Sequence, residues 1–331
     1  MRGVLLINLG TPDSPSVHDV RSYLKEFLSD PYVIDLPFIA RWLLLNLIIL
    51  PTRPKKSAHA YQSIWTSQGS PLLVNSEALA QNAQQLLGAN FKVALAMRYK
   101  KPSIKSALEK LTDCDELIIL PLFPQYSLAA TETAIQAALK IAKKTWPVDK
   151  IKIIKDFYNL PEFINAQAKL IQPILKQQAI EKLIFSYHGL PERQVNKSCD
   201  YQLQCGYPNS CPAINSKNAN CYRAQCFATS QAIIKELAIN DDFCLTTFQS
   251  RLGRTPWIKP YTDEVLVELA NQGIKNIAIA CPSFVCDCLE TLEEIGIRAK
   301  EQWQQLGGES LILIPCINAD ANWLKLLILK S

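Results

Sequence analysis

The chain has 331 residues, of which 48% are hydrophobic and 20% charged, and this balance excludes an intrinsically disordered or low-complexity protein. Its 35 Lys and Arg against 30 Asp and Glu are too small an excess to predict a nucleic-acid-binding surface. At about 150 residues per domain, the length predicts two domains.

The first predicted element is a strand at residues 4–9, which ends at Gly10-Thr11-Pro12. This apolar run lacks the small-residue cleavage site of a secretory signal peptide, whose apolar core is about 7–15 residues long. We therefore expect a cytoplasmic protein. Its 11 cysteines are then expected to be thiols or metal ligands and not disulfides.

The longest apolar stretch covers residues 38–50 and is too short to span a membrane, which needs about 20 residues. It predicts a buried helix. The alternative is a surface lip that contacts a membrane or a large apolar ligand. Arg53, Lys55 and Lys56 follow the stretch and favour a peripheral contact with a membrane surface.

Eight short apolar runs predict strands that are buried on both faces, because they show little polar alternation. Segments of helical length lie between most of them, such as residues 76–87, 103–111 and 131–144. This alternation predicts an α/β fold with parallel sheets flanked by helices. The predicted strands cover residues 4–9, 92–96, 117–122, 152–157, 183–187, 243–248, 276–280 and 310–315.

The eight strands divide into two similar sets of four. Gly10-Thr11-Pro12 follows the first strand, and Gly189-Leu190-Pro191 follows the fifth. Such a repeat predicts two similar α/β halves that face each other across a cleft, at residues 1–160 and 161–331. Ligands of such folds bind beyond the carboxyl ends of the strands or between the domains.

His188 is one of three histidines and lies at the end of the fifth predicted strand. A neutral imidazole at this position can accept a proton or bind a metal ion. The alternative is a structural histidine.

Five of the cysteines fall in a segment, residues 199–226, that is rich in Gly, Pro, Asn and Ser and is predicted to be a loop. Such a loop is costly to order unless a ligand such as a metal holds it. Four thiolates suit Zn²⁺ or an iron–sulfur cluster, and the absence of Cys-x-x-Cys pairs favours the cluster. Unligated thiols are the remaining alternative.

The loop after the seventh strand carries two acids. A helix is predicted to begin near residues 285–287, so that Glu290 and Glu294 share one face. Glu294 and Arg298 have the same spacing, and a solvated, ion-paired face is therefore the alternative. At the expected ligand site, paired acids can guide a divalent cation or relay protons.

Together these segments resemble the ferrochelatases, which insert Fe²⁺ into a porphyrin in the last step of haem synthesis. The resemblance covers nearly the whole chain and implies two Rossmann-like, chelatase-type halves, each with a four-stranded parallel sheet. The motifs that carry it are LINLGTP at 6–12, MRY at 97–99, FPQYS at 123–127, SYHGLP at 186–191, FQSR at 248–251, and DCLET at 287–291.

The resemblance implies that His188 and Glu290 are the catalytic pair and that both, with Glu294, contact the Fe²⁺ substrate. His188 would accept pyrrole protons or present the iron, and the two acids would form an acidic path. This chain has Cys288 where many relatives have a second histidine, and we expect a supporting role at that position.

By the same resemblance, four residues match positions that line the porphyrin site: Arg98, Tyr99, Tyr126 and Trp257. The Arg98 guanidinium is suited to pair with a propionate of the porphyrin. Residues 36–50 match an apolar lip that meets the membrane and the macrocycle.

Some family members hold a 2Fe–2S cluster on four cysteines, either at the C-terminus or in an internal segment. This chain has no cysteine after Cys316, so the resemblance implies a cluster in the segment of residues 199–226. The expected ligands are Cys205, Cys211, Cys221 and Cys226, with Cys199 as a spare.

The apolar lip favours protoporphyrin over coproporphyrin, which carries four carboxylates. Two other functions compete with this one. The first is a cobalt chelatase that acts on a sirohydrochlorin-type ring, which the single candidate histidine disfavours. The second is a two-domain protein that binds haem or a metal and catalyses no reaction. The sequence leaves the oligomeric state open.

Overall fold

The computed structural model describes residues 1–199, 210–251, 253 and 255–330. The chain forms two compact units. The first comprises Met1–Phe123, Leu128–Asp156 and Asn318–Ser331, and the second comprises Pro124–Ser127 and Phe157–Ile317.

The first unit contains a four-stranded sheet whose strands all run parallel, in the order β2-β1-β3-β4. Apolar side chains at four successive positions of β1, residues 4–7, are fully buried, because helices cover both faces of the sheet. The strands are β1 (Arg2–Asn8), β2 (Phe91–Met97), β3 (Glu116–Pro121) and β4 (Ile151–Ile153).

The second unit repeats this arrangement with four parallel strands in the order β6-β5-β7-β8. The strands are β5 (Lys182–His188), β6 (Cys244–Gln249), β7 (Asn276–Ala280) and β8 (Ser310–Leu313). The predicted fold of two four-stranded parallel sheets is confirmed. The fourth strand is shorter than predicted, because only residues 151–153 pair with β3.

Helices connect the strands of each sheet. They are α1 (Val17–Leu28), α2 (Phe38–Leu43), α3 (Leu50–Ile64), α4 (Pro71–Leu87), α5 (Ile104–Glu109), α6 (Thr133–Ala142), α7 (Pro161–Gln177), α8 (Glu192–Asn196), α9 (Tyr222–Leu237), α10 (Thr262–Asn271), α11 (Leu289–Leu292), α12 (Lys300–Gln305) and α13 (Asn322–Lys330). Short 3₁₀ turns cover Val148–Lys150 and Asp241–Phe243, and π-helical segments cover Leu44–Ile49, Leu128–Glu132 and Glu294–Ala299.

The repeat extends to the π-helical segments, which often occur at functional sites. Leu128–Glu132 follows β3 in the first sheet, and Glu294–Ala299 follows β7 in the second. Each precedes an α-helix, but only in the second half does a short helix, α11, lie between the strand and the π-helical segment.

Gly10 and Gly189 explain why a glycine follows the first strand of each half. Gly10 has φ +119°, and a side-chain Cβ there would lie 2.1 Å from the carbonyl oxygen of Tyr99. A Cβ on Gly189 would lie 2.7 Å from the carbonyl oxygen of Gln249. In each half, only glycine allows the chain to leave the sheet so close to the end of the neighbouring strand.

The apolar stretch at residues 38–50 is not a buried helix, and this first expectation is wrong. Phe38 and Ile39 are each 71% exposed, and Trp42, Leu47 and Ile48 are also exposed. Only Leu45 and Leu50 of this stretch are buried. The alternative of a surface lip therefore fits the structure, although Leu36 at the start of the predicted lip is half-buried. No helix in the described part of the chain is long and apolar enough to cross a membrane.

Two segments depart from the predicted division at residues 160–161. Asn318–Ser331 belongs to the first unit because α13 packs against α4 and Asn82 donates from Nδ2 to the carbonyl of Ala319 at 2.8 Å. Pro124–Ser127 belongs to the second unit, where Gln125 donates to Thr229 Oγ1 at 3.0 Å.

Candidate active site

His188 is the last residue of β5 and is half-buried at the carboxyl end of the second sheet. Its Nδ1 lies 2.6 Å from the carbonyl oxygen of Gly189. Because a carbonyl can only accept, Nδ1 carries the proton in this arrangement, and in the neutral ring Nε2 then has the free lone pair. No described residue forms a hydrogen bond to Nε2, so this nitrogen is the one that can accept a proton or bind a metal ion.

Two aromatic rings lie beside the imidazole of His188. The ring centroid of Trp257 is 6.5 Å away, and that of Phe284 is 6.4 Å away. Trp257 also lines an open cavity of about 520 Å³, together with Glu192, Arg251, Lys259 and Tyr261 among others. The histidine is thus bordered by apolar rings of the kind that contact a flat macrocycle.

Glu290 lies in the first turn of α11, which begins later than the sequence predicted. Cys288 has an extended backbone and caps the helix, since its N–H donates to Thr291 Oγ1 at 3.0 Å. The Cys288 side chain is buried and hydrogen-bonded to that of Glu290. Burial, and then the charge of Glu290, raise the pKa of the Cys288 thiol well above its usual value. Cys288 is therefore a neutral neighbour that orients the acid.

Glu294 is held by residues of the loop after β6. Its carboxylate accepts from the main-chain N–H of Ser250 at 2.8 Å and from the Ser250 hydroxyl. Arg298 is 3.9 Å from Glu294 but donates from Nε to both oxygens of Glu293 at 2.9 Å. The ion pair between Glu294 and Arg298 is therefore present, but its 3.9 Å distance is longer than the bond from Ser250 to Glu294.

The continuous α-helix predicted through Glu290 and Glu294 is interrupted. The α-helical turn ends at Leu292, and Arg298 N–H donates to the carbonyl of Glu293, which is a π-type bond. The two carboxylates therefore have different partners: Cys288 for one and Ser250 for the other.

Gln249 connects the elements that carry the histidine and the acid. Its side chain donates from Nε2 to the carbonyl of Glu290 at 2.7 Å and accepts from Ser186 Oγ at 2.8 Å. Its main-chain oxygen accepts from Gly189 N–H at 2.8 Å. Gln249 lies within the FQSR motif, but the sequence did not predict this connecting role, because its side-chain partners are at least 32 positions away.

Tyr126 lies in the second unit, like His188, Trp257 and Glu290. It is buried, and its main-chain N–H donates to Gln225 Oε1 of α9 at 2.6 Å. The structure therefore assigns five of the predicted site residues to one compact unit: Tyr126, His188, Trp257, Glu290 and Glu294.

Arg98 and Tyr99 lie in the first unit, at the end of β2, around the buried carboxylate of Asp30. Arg98 and Tyr99 both donate to Asp30 Oδ2, the tyrosine at 2.9 Å, and Thr133 donates to the same atom at 2.6 Å. Burial, followed by the charge of Asp30, raises the pKa of Tyr99 well above its usual value. Asp30 is a further residue without a sequence signal, since it is 68 positions from Arg98.

The described cysteines of the segment at residues 199–226 lie close together, and Cys205 lies outside the described residues. Cys199, Cys221 and Cys226 are buried, and a hydrogen bond joins the side chains of Cys199 and Cys221. Burial raises the pKa of Cys221 to about 12, and Cys199 and Cys211 contribute to this rise. Cys226 is on α9, so the predicted loop ends earlier, at the N-cap Cys221.

Arg223 supplies a positive charge to this group of thiols. It is 4% exposed, and its Nη1 donates to Cys211 Sγ at 2.8 Å. Within the described ranges, no three His, Cys, Asp or Glu side chains are arranged to hold a metal ion.

Comparison with known proteins identifies the family. The family model described as Ferrochelatase matches residues 1–329. A ferrochelatase of Legionella pneumophila (strain Corby) is 55% identical over 325 residues, covering 98% of this chain and 96% of that protein. A ferrochelatase of Coxiella burnetii (strain CbuG_Q212) is 53% identical over 323 residues, covering 97% and 90%.

The fold has a counterpart among solved structures. The structure of SirB from Bacillus subtilis with Fe³⁺ has a TM-score of 0.54 and 10% identity, covering 99% of this chain and 93% of that one. At this identity, the likeness is one of fold alone. The sequence matches, in contrast, span nearly the whole chain, and they show that it belongs to the ferrochelatase family, the lyases that insert iron into a porphyrin in haem synthesis.

Proposed function

We propose that this chain inserts Fe²⁺ into protoporphyrin IX to give protohaem, and that His188 is the group that accepts the pyrrole protons. The observation that carries this proposal is the bond from Nδ1 to the carbonyl of Gly189. It fixes the tautomer in which Nε2 has a lone pair and no partner among the described residues. A half-buried imidazole in this state is suited to general-base chemistry.

The reaction requires that two pyrrole N–H protons leave as the metal enters. A flat porphyrin presents its nitrogens poorly to an incoming ion, so a site that holds the ring bent lowers the barrier. Trp257 and Phe284 beside His188 supply rigid apolar surfaces for such a grip. Tyr126, held by Gln225, is proposed to line the same porphyrin site.

Glu290 and Glu294 are proposed to form an acidic path for the iron. Glu290 is half-buried next to a neutral thiol, whereas Glu294 is already bonded to Ser250. Carboxylate oxygens are suitable transient partners for a divalent cation. These different surroundings support different roles for the two acids: Glu290 acts in the chemical step, and Glu294 acts in the delivery of iron.

Arg98 is proposed to meet a propionate of the porphyrin. Its guanidinium is 22% exposed, and its carbon Cζ lies 4.5 Å from the centroid of the Tyr99 ring. Asp30 orients Arg98 from one side, which leaves other N–H groups for a substrate carboxylate. Tyr99 is fully buried, so its contribution to porphyrin binding is through the placement of Arg98.

The exposed lip supports the choice of protoporphyrin and a peripheral membrane contact. Phe38, Ile39, Trp42 and Leu47 form an apolar surface, and Lys55 and Lys56 on α3 follow it. An apolar helix flanked by basic residues binds at the surface of an anionic bilayer, where the less polar porphyrin also partitions. Salt and carbonate extraction of a membrane fraction tests this contact, because a peripheral protein is released.

The segment at residues 199–226 is proposed to hold a 2Fe–2S cluster. The support for this proposal is the chemistry of the described residues and not an assembled site: buried thiols lie within electrostatic range of one another, and the buried guanidinium of Arg223 can balance the charge of thiolates. When bound, the cluster would cross-link the segment and supply a redox-active centre. Cys211, Cys221 and Cys226 are the proposed ligands, with Cys205 as the fourth.

The bond between Cys199 and Cys221 makes Cys199 a competing candidate for the fourth position.

The cluster itself is tested by metal analysis. If it is present, anaerobically purified protein should be coloured and hold about two irons and two sulfides per chain. Cys205→Ser and Cys199→Ser decide between the two, since only the true ligand variant loses iron. A colourless protein with one zinc would refute the cluster.

Anaerobic incubation with Fe²⁺ or Zn²⁺ and protoporphyrin, followed by absorbance, tests the main proposal. We expect metalloporphyrin from the wild type and none from His188→Ala, while His188→Ala still binds the porphyrin. Coproporphyrin in parallel identifies the preferred ring. If the wild type binds porphyrin but forms no metalloporphyrin, a haem- or metal-binding protein is favoured. If His188→Ala turns over at the wild-type rate, His188 is not the group that accepts the pyrrole protons.

A further inference from the structure

Tyr222, the first residue of α9, connects His188 to the cysteine segment. Its hydroxyl donates to the main-chain carbonyl of His188 at 2.8 Å. The same hydroxyl also interacts with the side chains of Cys226, one turn further along α9, and Ser283. Tyr222 is 5% exposed, so its hydroxyl is shielded from water.

The main chain of His188 is held by side chains from two other elements. Its N–H donates to Ser283 Oγ at 3.1 Å, in the loop after β7, and its carbonyl accepts from Tyr222. Gly189 N–H donates to the carbonyl of Gln249 at 2.8 Å. These bonds fix the peptide planes on both sides of His188, and these planes in turn set the direction of its imidazole.

We infer that Tyr222 is a positioning residue for His188. The inference rests on the proposed function of His188. Without this hydroxyl, the carbonyl of His188 loses its side-chain donor. A buried carbonyl without a donor is costly, and the peptide must turn to find another partner.

Tyr222→Phe tests the inference because it removes one oxygen and preserves the ring. We expect kcat for Zn²⁺ insertion to fall at least ten-fold, while KM for porphyrin and its Kd, measured by fluorescence quenching, stay within two-fold. The matched control is Tyr187→Phe. Tyr187 is an equally buried tyrosine on β5 whose hydroxyl bonds to Ser230, and Ser230 keeps a second partner in Thr246. This control should keep kcat within two-fold.

Equal losses in the two phenylalanine variants would overturn the inference, and so would an unchanged kcat in Tyr222→Phe. If Tyr222→Phe does not fold, Ser283→Ala replaces it, because this variant removes the partner of the His188 N–H. It should lower kcat with the same small change in porphyrin Kd, and an unchanged kcat would again overturn the inference. A wild type that makes no metalloporphyrin would instead refute the proposed function.

Discussion

The side-chain amide of Gln249 donates to the main-chain carbonyl of Glu290 at 2.7 Å, although the two residues are 41 positions apart. The same amide accepts from Ser186 of β5, two residues before His188. One buried side chain therefore sets the spacing between the strand that carries the histidine and the helix that carries the acid.

We expect Gln249→Glu to lower kcat for metal insertion by more than ten-fold. The new carboxylate still accepts from Ser186, but it has no proton for the carbonyl of Glu290, which is left unpaired at a cost of about 1–3 kcal/mol. Gln84→Glu is the matched control: Gln84 also donates to main-chain carbonyls and accepts from Val93 N–H, but it lies in the first unit, at the end of α4. Comparable losses of kcat in both variants would contradict a specific role for Gln249.

Glu290→Gln and Glu294→Gln should differ in their kinetics. Removing the charge of Glu290 is expected to lower kcat by about 100-fold, within the range of a lost acid–base group. Glu294→Gln should mainly raise KM for the metal, because its carboxylate is already bonded to Ser250 and is expected to act before the chemical step. Steady-state kinetics with Zn²⁺ measure both parameters, and identical effects of the two variants would refute the division of roles.

Asp30→Asn should destabilise the first unit by about 3 kcal/mol. The change removes the negative charge that pairs with the partly buried Arg98, which has the cost of losing one partner of a buried ion pair. It also places an amide N–H₂ among the donors Arg98, Tyr99 and Thr133. Urea denaturation measures the loss. Asp113→Asn breaks an exposed ion pair with Lys92 and should cause no measurable change. Equal stability of Asp30→Asn and the wild type would show that the network carries no net stability.

Glu181 provides a test of pH dependence. Main-chain N–H groups of Lys275 and Asn276 donate to its carboxylate at 2.8 and 2.7 Å, and these bonds lower the pKa of Glu181. A carboxyl group with a lowered pKa in the folded state stabilises the fold above its unfolded pKa of about 4.3, and this contribution disappears as the pH falls through the folded pKa.

Glu181→Gln should therefore be less stable than the wild type at pH 7 and equal to it at pH 3. Denaturant titrations at the two pH values measure the difference. Glu309→Gln is the control, since Glu309 precedes β8 as Glu181 precedes β5, but no described contact involves its side chain. A difference in stability that persists at pH 3 would show that the amide itself, and not the lost charge, is responsible.

The positions of the strands along the chain and their burial could be predicted because they depend on local composition. Apolar runs mark strands that are covered on both faces, and Gly10 and Gly189 mark the points where neighbouring backbones approach. The positions of His188 and Glu290 at strand and helix ends followed from the same pattern.

The residues that hold these groups could not be predicted, since they act through contacts between distant segments. Asp30 lies in ordinary sequence surroundings, whereas Tyr222 lies in the cysteine segment and Gln249 in the FQSR motif. The sequence showed none of their bonds, because these form only when other elements pack beside the three residues. For the lip, apolar composition alone did not distinguish a buried helix from an exposed one.

The position of α13 has a consequence for synthesis on the ribosome. Trp323, Leu324, Leu327 and Ile328 are buried, and their helix packs in the first unit against α4, which is translated more than 200 residues earlier. The first unit therefore cannot complete its core when its own strands leave the ribosome. Part of α4 stays uncovered until nearly all of the second unit has been synthesised. A nascent chain arrested before residue 318 should be protease-sensitive in the first unit.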